Sequence, residues 1–302
     1  MTELPTAAVC APLDVEYRAV RGLLAGHRFT ERTERGTVFA ITEFEGRHGL
    51  WRLVLTLTGR HNERAATAVE RTVATFAPQA IVLVGVAGGR RDARIGDVIA
   101  ATEIYGYESG QDTDLRYLSR IKTFNTSHAL SQQAHHAAEE GAWTERLGLA
   151  PGQAPPRVFH RPLAAGSKVV TGLDSPTAAL IGQHCGDAQG VDMESFGAMA
   201  AACTGGGVEA MVVRGVSDLI GDKTKDADRT RQPLAARNAA AFALALIERL
   251  EPGPAAPDEP ESQRHRGPKY VGAIGEGANA TVAAMGDRAE GRITIHHSRH
   301  RD

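Results

Sequence analysis

Four short segments carry side chains that could do chemistry together. In EAMVVRGVSDLIGD an apolar run ends on Arg214, Ser217 and Asp218, and strand ends of α/β sheets are where ligands gather. Taken alone, Asp218 reads as a helix cap or turn acid as readily as a proton donor. In GVDMESFGAMAAA, Asp192, Met193 and Glu194 stand at a strand-to-helix junction. Glu194 either offers its two oxygens to two neighbouring hydroxyls or serves as a helix-start acid favoured by the dipole. VLVGVAGGRRDARIGD puts Gly85, Gly88 and Gly89 after a buried strand. That is a plain tight turn or a close approach of backbone to a ligand, and it has neither a P-loop ending nor G-x-G-x-x-G spacing. In APLDVEYRAV, Asp14 and Glu16 follow the first strand, and the cap reading suits Asp14 better. An acid for the departing base, contacts for the ribose hydroxyls and a nucleophile placed opposite the base are what cleavage of a sugar–base C–N bond requires.

The elements that must position these groups alternate between short apolar strands and helix-period stretches from Thr6 to about Leu250, the pattern of a layered α/β domain. Ala7 to Ala11 reads as the first strand, followed by helical spacing of Tyr17, Val20 and Leu24. Thr37 to Phe44 and Leu50 to Thr58 read as a hairpin split by Gly46 and Gly49. Ala65, Val69, Val73 and Phe76 share a helix face that ends at Pro78, before the strand Ala80 to Val84. Further strands are expected at Asp97 to Glu103, Leu163 to Val170 and Ala210 to Val216, and a last helix at about Leu234 to Leu250.

After Glu251 the sequence PGPAAPDEPESQRHRGPK is rich in proline and charge, which marks a linker. The chain of 302 residues therefore divides into a catalytic domain over 1–252, a linker over 253–269 and a Gly-rich interaction tail over 270–302, too short for its own core. A net charge of -2 provides no global field toward nucleic acid or an anionic membrane. No stretch approaches the roughly 18 apolar residues of a spanning helix, and the N-terminus lacks the form of a signal peptide. Cys10, Cys185 and Cys203 are an odd count without paired spacing, so neither a disulfide framework nor a zinc site is expected, and a cytoplasmic setting is.

GVAGG, VDMES and VVRGVSD, in this order and spread over about residues 7 to 250, resemble the nucleoside phosphorylase family, in particular its methylthioadenosine/S-adenosylhomocysteine nucleosidase branch. The resemblance implies a three-layer α/β/α sandwich with a central mixed, twisted sheet, no metal or organic cofactor, and a homodimer or higher homo-oligomer. It implies that Asp218 protonates purine N7 with support from Ser217, and that Glu16 is the general base for water, which Arg214 helps to hold. Glu194 would bind the ribose 2′- and 3′-hydroxyls and Met193 would pack on the sugar. Val86, Ala87 and Gly88 would form the glycine turn beside the ribose, and the strand around Lys168, Val169 and Val170 would read the base.

The sequence departs from that branch at three places. Val169 stands where the nucleosidases usually carry an aromatic ring, Val86 where they have a serine, and Asp192 where they have a glutamate. The expected substrate is an adenine nucleoside or nucleotide and the expected nucleophile is water, because Glu16 would repel phosphate. Arg60, Arg90, Arg91, Arg94, Arg116 and Lys122 are either solvated surface or, if they converge, a clamp for 5′-phosphates. The alternatives are a phosphate-dependent phosphorylase and a nucleoside-sensing signalling module without turnover. A phosphorylase-like domain, a linker and a short terminal motif also resemble effector components of bacterial immune systems. That second resemblance implies a role in antiviral defence and a protein partner bound through 270–302; a disordered end without a partner is the alternative.

Overall fold

The computed structural model describes residues 4–115, 117–204, 208–222 and 224–253. The expected linker, beyond its first residue Gly253, and the expected tail over 270–302 lie outside the described residues, as does Arg116. The chain begins with strand Thr6–Ala11 (β1), helix Asp14–Leu23 (α1), strands Thr30–Glu34 (β2), Thr37–Gly46 (β3) and Gly49–Leu57 (β4), helix Asn62–Phe76 (α2) and strand Ala80–Gly89 (β5). Strands Val98–Ala100 (β6), Glu103–Gly106 (β7), Gly110–Asp112 (β8), Tyr117–Ser119 (β9) and Lys122–Asn125 (β10) follow, then helix His128–Glu140 (α3) and a 3-10 turn over Ala142–Leu147. Strands Val158–Phe159 (β11) and Leu163–Ala165 (β12), helix Pro176–His184 (α4), strand Gly190–Asp192 (β13), helix Ser195–Thr204 (α5), strand Glu209–Leu219 (β14) and helix Lys225–Arg249 (α6) complete it.

One mixed sheet runs β10-β7-β12-β13-β5-β1-β4-β3-β2, with β14 laid against both β5 and β6, and β11 beside β6. β1 is parallel to β4 and β5, and β5 is parallel to β14, whereas β13 meets β5 antiparallel. Both faces of the central strands are covered, so these strands read as continuous apolar runs. In β1, Ala7 and Val9 face a core with α1, α3 and α6, while Ala8 and Cys10 face a second core with α2 and α5. The fold is thus the three-layer α/β/α sandwich expected from the sequence.

Local boundaries differ from the periodicity in four places, each for a physical reason. The expected strand Asp97 to Glu103 is two strands, because Ala101 donates to Val212 O and Thr102 to Arg161 O as the backbone changes partners. The expected strand Leu163 to Val170 stops at Ala165. Beyond it the Tyr107 ring fills the space beside Gly166, and Ser167 N donates to Glu108 Oε2 at 2.6 Å, so Lys168 to Val170 form a loop. The last helix begins at Lys225 rather than Leu234, since Thr224 caps it through Ala227 N and Asp226 and Asp228 occupy its first turn. Finally, GVAGG is no turn: β5 continues through Gly89, hydrogen-bonded to β14 on one side and β13 on the other.

Candidate active site

The glycines of β5 face the polar end of β14 across a parallel ladder in which Gly85 partners Arg214 and Gly88 partners Asp218. The register slips between Val216 and Asp218, which makes Ser217 the extra residue of a β-bulge. In regular strand geometry Ser217 and Asp218 would point to opposite faces; the bulge turns both toward one cavity, as bulges near sites commonly do. There Ser217 Oγ donates to Asp218 Oδ1 at 2.7 Å, and a Cβ at Gly88 would lie 3.3 Å from Asp218 Oδ2.

Arg214 is fully buried beneath this cavity and holds its carboxylates. Its Nε donates to Asp192 Oδ2 at 2.7 Å, its Nη2 lies 2.6 Å from the same oxygen and 3.7 Å from Glu194 Oε2, and Nη2 also donates to Ser195 Oγ at 3.2 Å. Its Nη1 hydrogen-bonds to no described residue and flanks, with Glu16 Oε1, the point where a Cβ of Gly85 would stand. Burying a guanidinium costs several kcal/mol unless carboxylates answer it, and the acids around it give that answer. The expectation that Arg214 contacts water directly is narrowed accordingly: among its donors only Nη1 is left for that task.

Glu16 sits in the first turn of α1, and its carboxylate does two things at once. Oε2 accepts from Leu13 N at 2.6 Å, closing the start of its own helix, and Oε1 accepts from Val86 N of β5 at 2.7 Å. The cap assigned to Asp14 from the sequence therefore belongs to Glu16, while Asp14 is exposed. Burial pushes the Glu16 carboxyl up to about 7, with a smaller push from Glu194, against the opposing pull of Arg214 and the two backbone donors.

Glu194 lies at the junction of β13 and α5 and accepts from His61 N at 3.1 Å through Oε1. Burial raises its pKa and Asp192 adds to the rise, while Arg214 works against both. His61 delivers that N–H from a backbone at φ 76, ψ 156, a region that glycine occupies readily and other residues enter only when surroundings enforce it.

These groups surround a cavity of about 280 Å³. Glu16, Glu194, Ser217 and Asp218 line it, as do Val86, Ala87 and Gly88 along β5 and Met193 next to Glu194. Val169 and Val170 also line it, Val170 buried and Val169 58% exposed, so the loop presents aliphatic surface instead of a ring. Arg214 lies beneath the lining. The exposed Arg60 and Lys168 also line the cavity, as do the half-buried Asp228 and Gln232 of α6; Lys168 lies 3.9 Å from Glu108.

The other cations do not converge. Arg90 and Arg91 donate to carbonyls of Cys185, Ala188 and Gly186 in the α4–β13 connection, and the exposed Arg94 and Lys122 lie outside the lining. Sequence reasoning missed His61, Ile220, Asp228 and Gln232, since residues after TLTG or at a helix start carry no chemical signature of their own. It also undervalued Asp192, whose ion pair with Arg214 spans 22 positions of sequence.

Comparison with known proteins identifies the family. The chain is 26% identical over 245 residues to a 5′-methylthioadenosine/S-adenosylhomocysteine nucleosidase of Haemophilus influenzae (strain PittEE), covering 78% of this chain and 95% of that protein. Among solved structures it is similar to that nucleosidase of Neisseria meningitidis in complex with methylthio-immucillin-A, with TM-score 0.66, 22% identity, and coverage of 81% of this chain and 99% of that one. Futalosine hydrolase of Helicobacter pylori superposes with TM-score 0.66 at 17% identity, covering 81% and 98%. The model of the phosphorylase superfamily matches residues 6–248, and the chain belongs to that family.

Proposed function

We propose that this protein is a purine nucleosidase that hydrolyses the N-glycosidic bond of an adenine nucleoside or nucleotide. The observation that carries the reading is that Glu16, Glu194 and Asp218, from three distant segments, meet around one cavity with Arg214 beneath them. Water held by Glu16 and Arg214 Nη1 attacks C1′ as the C1′–N9 bond breaks. The bonding pair leaves with the base, Asp218 gives its proton to N7, and Glu16 takes the proton of the water. Glu194 holds the 2′- and 3′-hydroxyls, Met193 packs on the sugar, and Val169 and Val170 lie against the base. The nucleosidase name of the relatives supports the same reaction.

Water is favoured over phosphate because three carboxylates, Asp192, Glu194 and Glu16, surround the Arg214 guanidinium beneath the pocket, while Arg90 and Arg91 are bonded to carbonyls of the α4–β13 connection. The exposed Arg60 and Lys168 of the lining leave room for a 5′-substituent that carries charge. The catalytic unit is assigned to residues 1–252 in a cytoplasmic homo-oligomer, with 253–269 as linker and 270–302 as contact for a protein partner in bacterial defence. The test is incubation with adenosine, methylthioadenosine, S-adenosylhomocysteine and ATP, with and without phosphate, measuring free base. Release independent of phosphate, and lost by about 10²–10⁴-fold in Asp218→Asn, is expected. Release only with phosphate favours a phosphorylase, and no turnover together with Asp218→Asn leaving biological activity intact favours a sensor.

A further inference from the structure

Glu194 occupies the N-cap position of α5: its carbonyl accepts from Ala198 N at 3.1 Å, the first bond of the helix. A side chain in that position ordinarily turns back to the N–H groups of the first turn, which have no partner inside the helix. Glu194 does not do this, and its carboxylate faces the cavity instead. Other residues provide the caps. Asp192 Oδ1 accepts from Ser195 N at 3.3 Å, and Asn62 Oδ1, from the start of a different helix, accepts from Gly197 N at 2.8 Å. The second arm of the same amide, Nδ2, donates to Gly166 O at 3.1 Å, at the root of the loop that carries Val169 and Val170. A donor on one side and a carbonyl on the other admit one orientation of the amide.

The contact is built closely. A Cβ at Gly197 would lie 2.0 Å from Asn62 O, so only glycine lets α2 approach α5 this far. The residue before Asn62 is His61, whose left-handed backbone aims its N–H at Glu194 Oε1. One dipeptide therefore bonds the Glu194 carboxylate, caps the helix that follows it and ties down the root of the loop that carries Val169 and Val170.

We propose that Asn62 is a positioning residue that releases Glu194 from capping duty and fixes it on the sugar hydroxyls, in register with the base loop. The proposal rests on the nucleosidase reading for the identity of the ligand. Its effect must fall on the ribose contact: without Asn62 Oδ1 the Gly197 N–H has no acceptor, Glu194 swings back to its own helix, and the 2′-hydroxyl loses its partner.

The experiment compares adenosine with 2′-deoxyadenosine in the full-length protein and in Asn62→Ala, Asn62→Leu and Asn62→Asp. In the Ala and Leu variants the preference for adenosine in kcat/KM is expected to shrink by about tenfold, with activity on the deoxynucleoside changed much less. Asn62→Asp keeps the acceptor for Gly197 N and loses the donor to Gly166 O; it should retain the ribose preference while KM rises for both substrates. It also provides the reading if the other two variants do not fold. An equal loss on both substrates in Ala or Leu, or a lost preference in Asp, overturns the proposal. If the wild type releases no base, the nucleosidase reading fails first. Asn62 is then judged on affinity for formycin A, whose C-glycosidic bond resists cleavage, against its 2′-deoxy form. Selective loss of the ribo form in Asn62→Ala supports the proposal, while equal loss, or no binding by the wild type, overturns it.

Discussion

Gly85 and Arg214 are partners across parallel strands, and the guanidinium crosses the space beside the glycine: a Cβ there would stand 1.7 Å from Arg214 Nη1 and 2.7 Å from Glu16 Oε1. Neither neighbour can give way, since both are buried and bonded. Gly85→Ala should destabilise the protein by about 3 kcal/mol through overpacking, read as a shift of the urea midpoint. Gly22→Ala, on α1 with nothing near the added methyl, should raise stability by about 0.5–1 kcal/mol in the same measurement.

Removing the guanidinium itself leaves Asp192, Glu194 and Glu16 without their common cation. Arg214→Met fills much of the volume and is expected to cost about 3–5 kcal/mol, the penalty of breaking a buried pair from one side. Adding Asp192→Asn removes the closest stranded charge, so the double variant should be more stable than Arg214→Met alone. A double-mutant cycle by chemical denaturation measures that coupling; strict additivity would contradict the geometry.

Glu16 supplies a pH dependence of two kinds. As the proposed base it must be ionised, so kcat/KM should climb with pH through about 7 and fall away below it, and Glu16→Gln should lose turnover at every pH. The effect on stability has the opposite direction. Its folded pKa is raised above the ordinary 4.5, so the bound proton favours the fold; that contribution is complete below 4.5 and is lost as pH rises through about 7. The fall in unfolding free energy between pH 5 and pH 8 should be smaller by about 2–3 kcal/mol in Glu16→Gln.

Ser217 reaches Asp218 because a bulge places both on one side of the strand. Ser217→Ala removes the hydrogen bond to Asp218 and one oxygen from the cavity lining, and kcat should drop by about tenfold with little change in KM. A rise in KM with unchanged kcat would assign Ser217 to substrate binding instead.

The layered fold was readable from the chain because strands covered on both faces must be apolar throughout, as in Ala80 to Val84. The proposed site was readable where charged side chains stand at a strand or helix end, and Glu16, Glu194 and Asp218 do line one cavity. What escaped were features settled by tertiary contact. The glycines of GVAGG look like a turn locally, yet they stay in the sheet because β14 supplies partners on one side and β13 on the other. His61 gives no local hint of a glycine-like backbone, since the demand for it comes from Glu194, 133 positions away. Arg214 resembles a ligand-binding arginine until its acceptors are counted.

The place of β14 in the sheet bears on how the protein is made. Among the described residues it is the last strand in sequence, yet it enters an interior position between β5 and β6. Until it arrives, the glycine-lined edge of β5 is open, and the partner of Asp192 and the acid Asp218 are both missing. A nascent or prematurely ended chain can therefore hold Glu16 and Glu194 while it still lacks both their common cation and the carboxylate at Asp218.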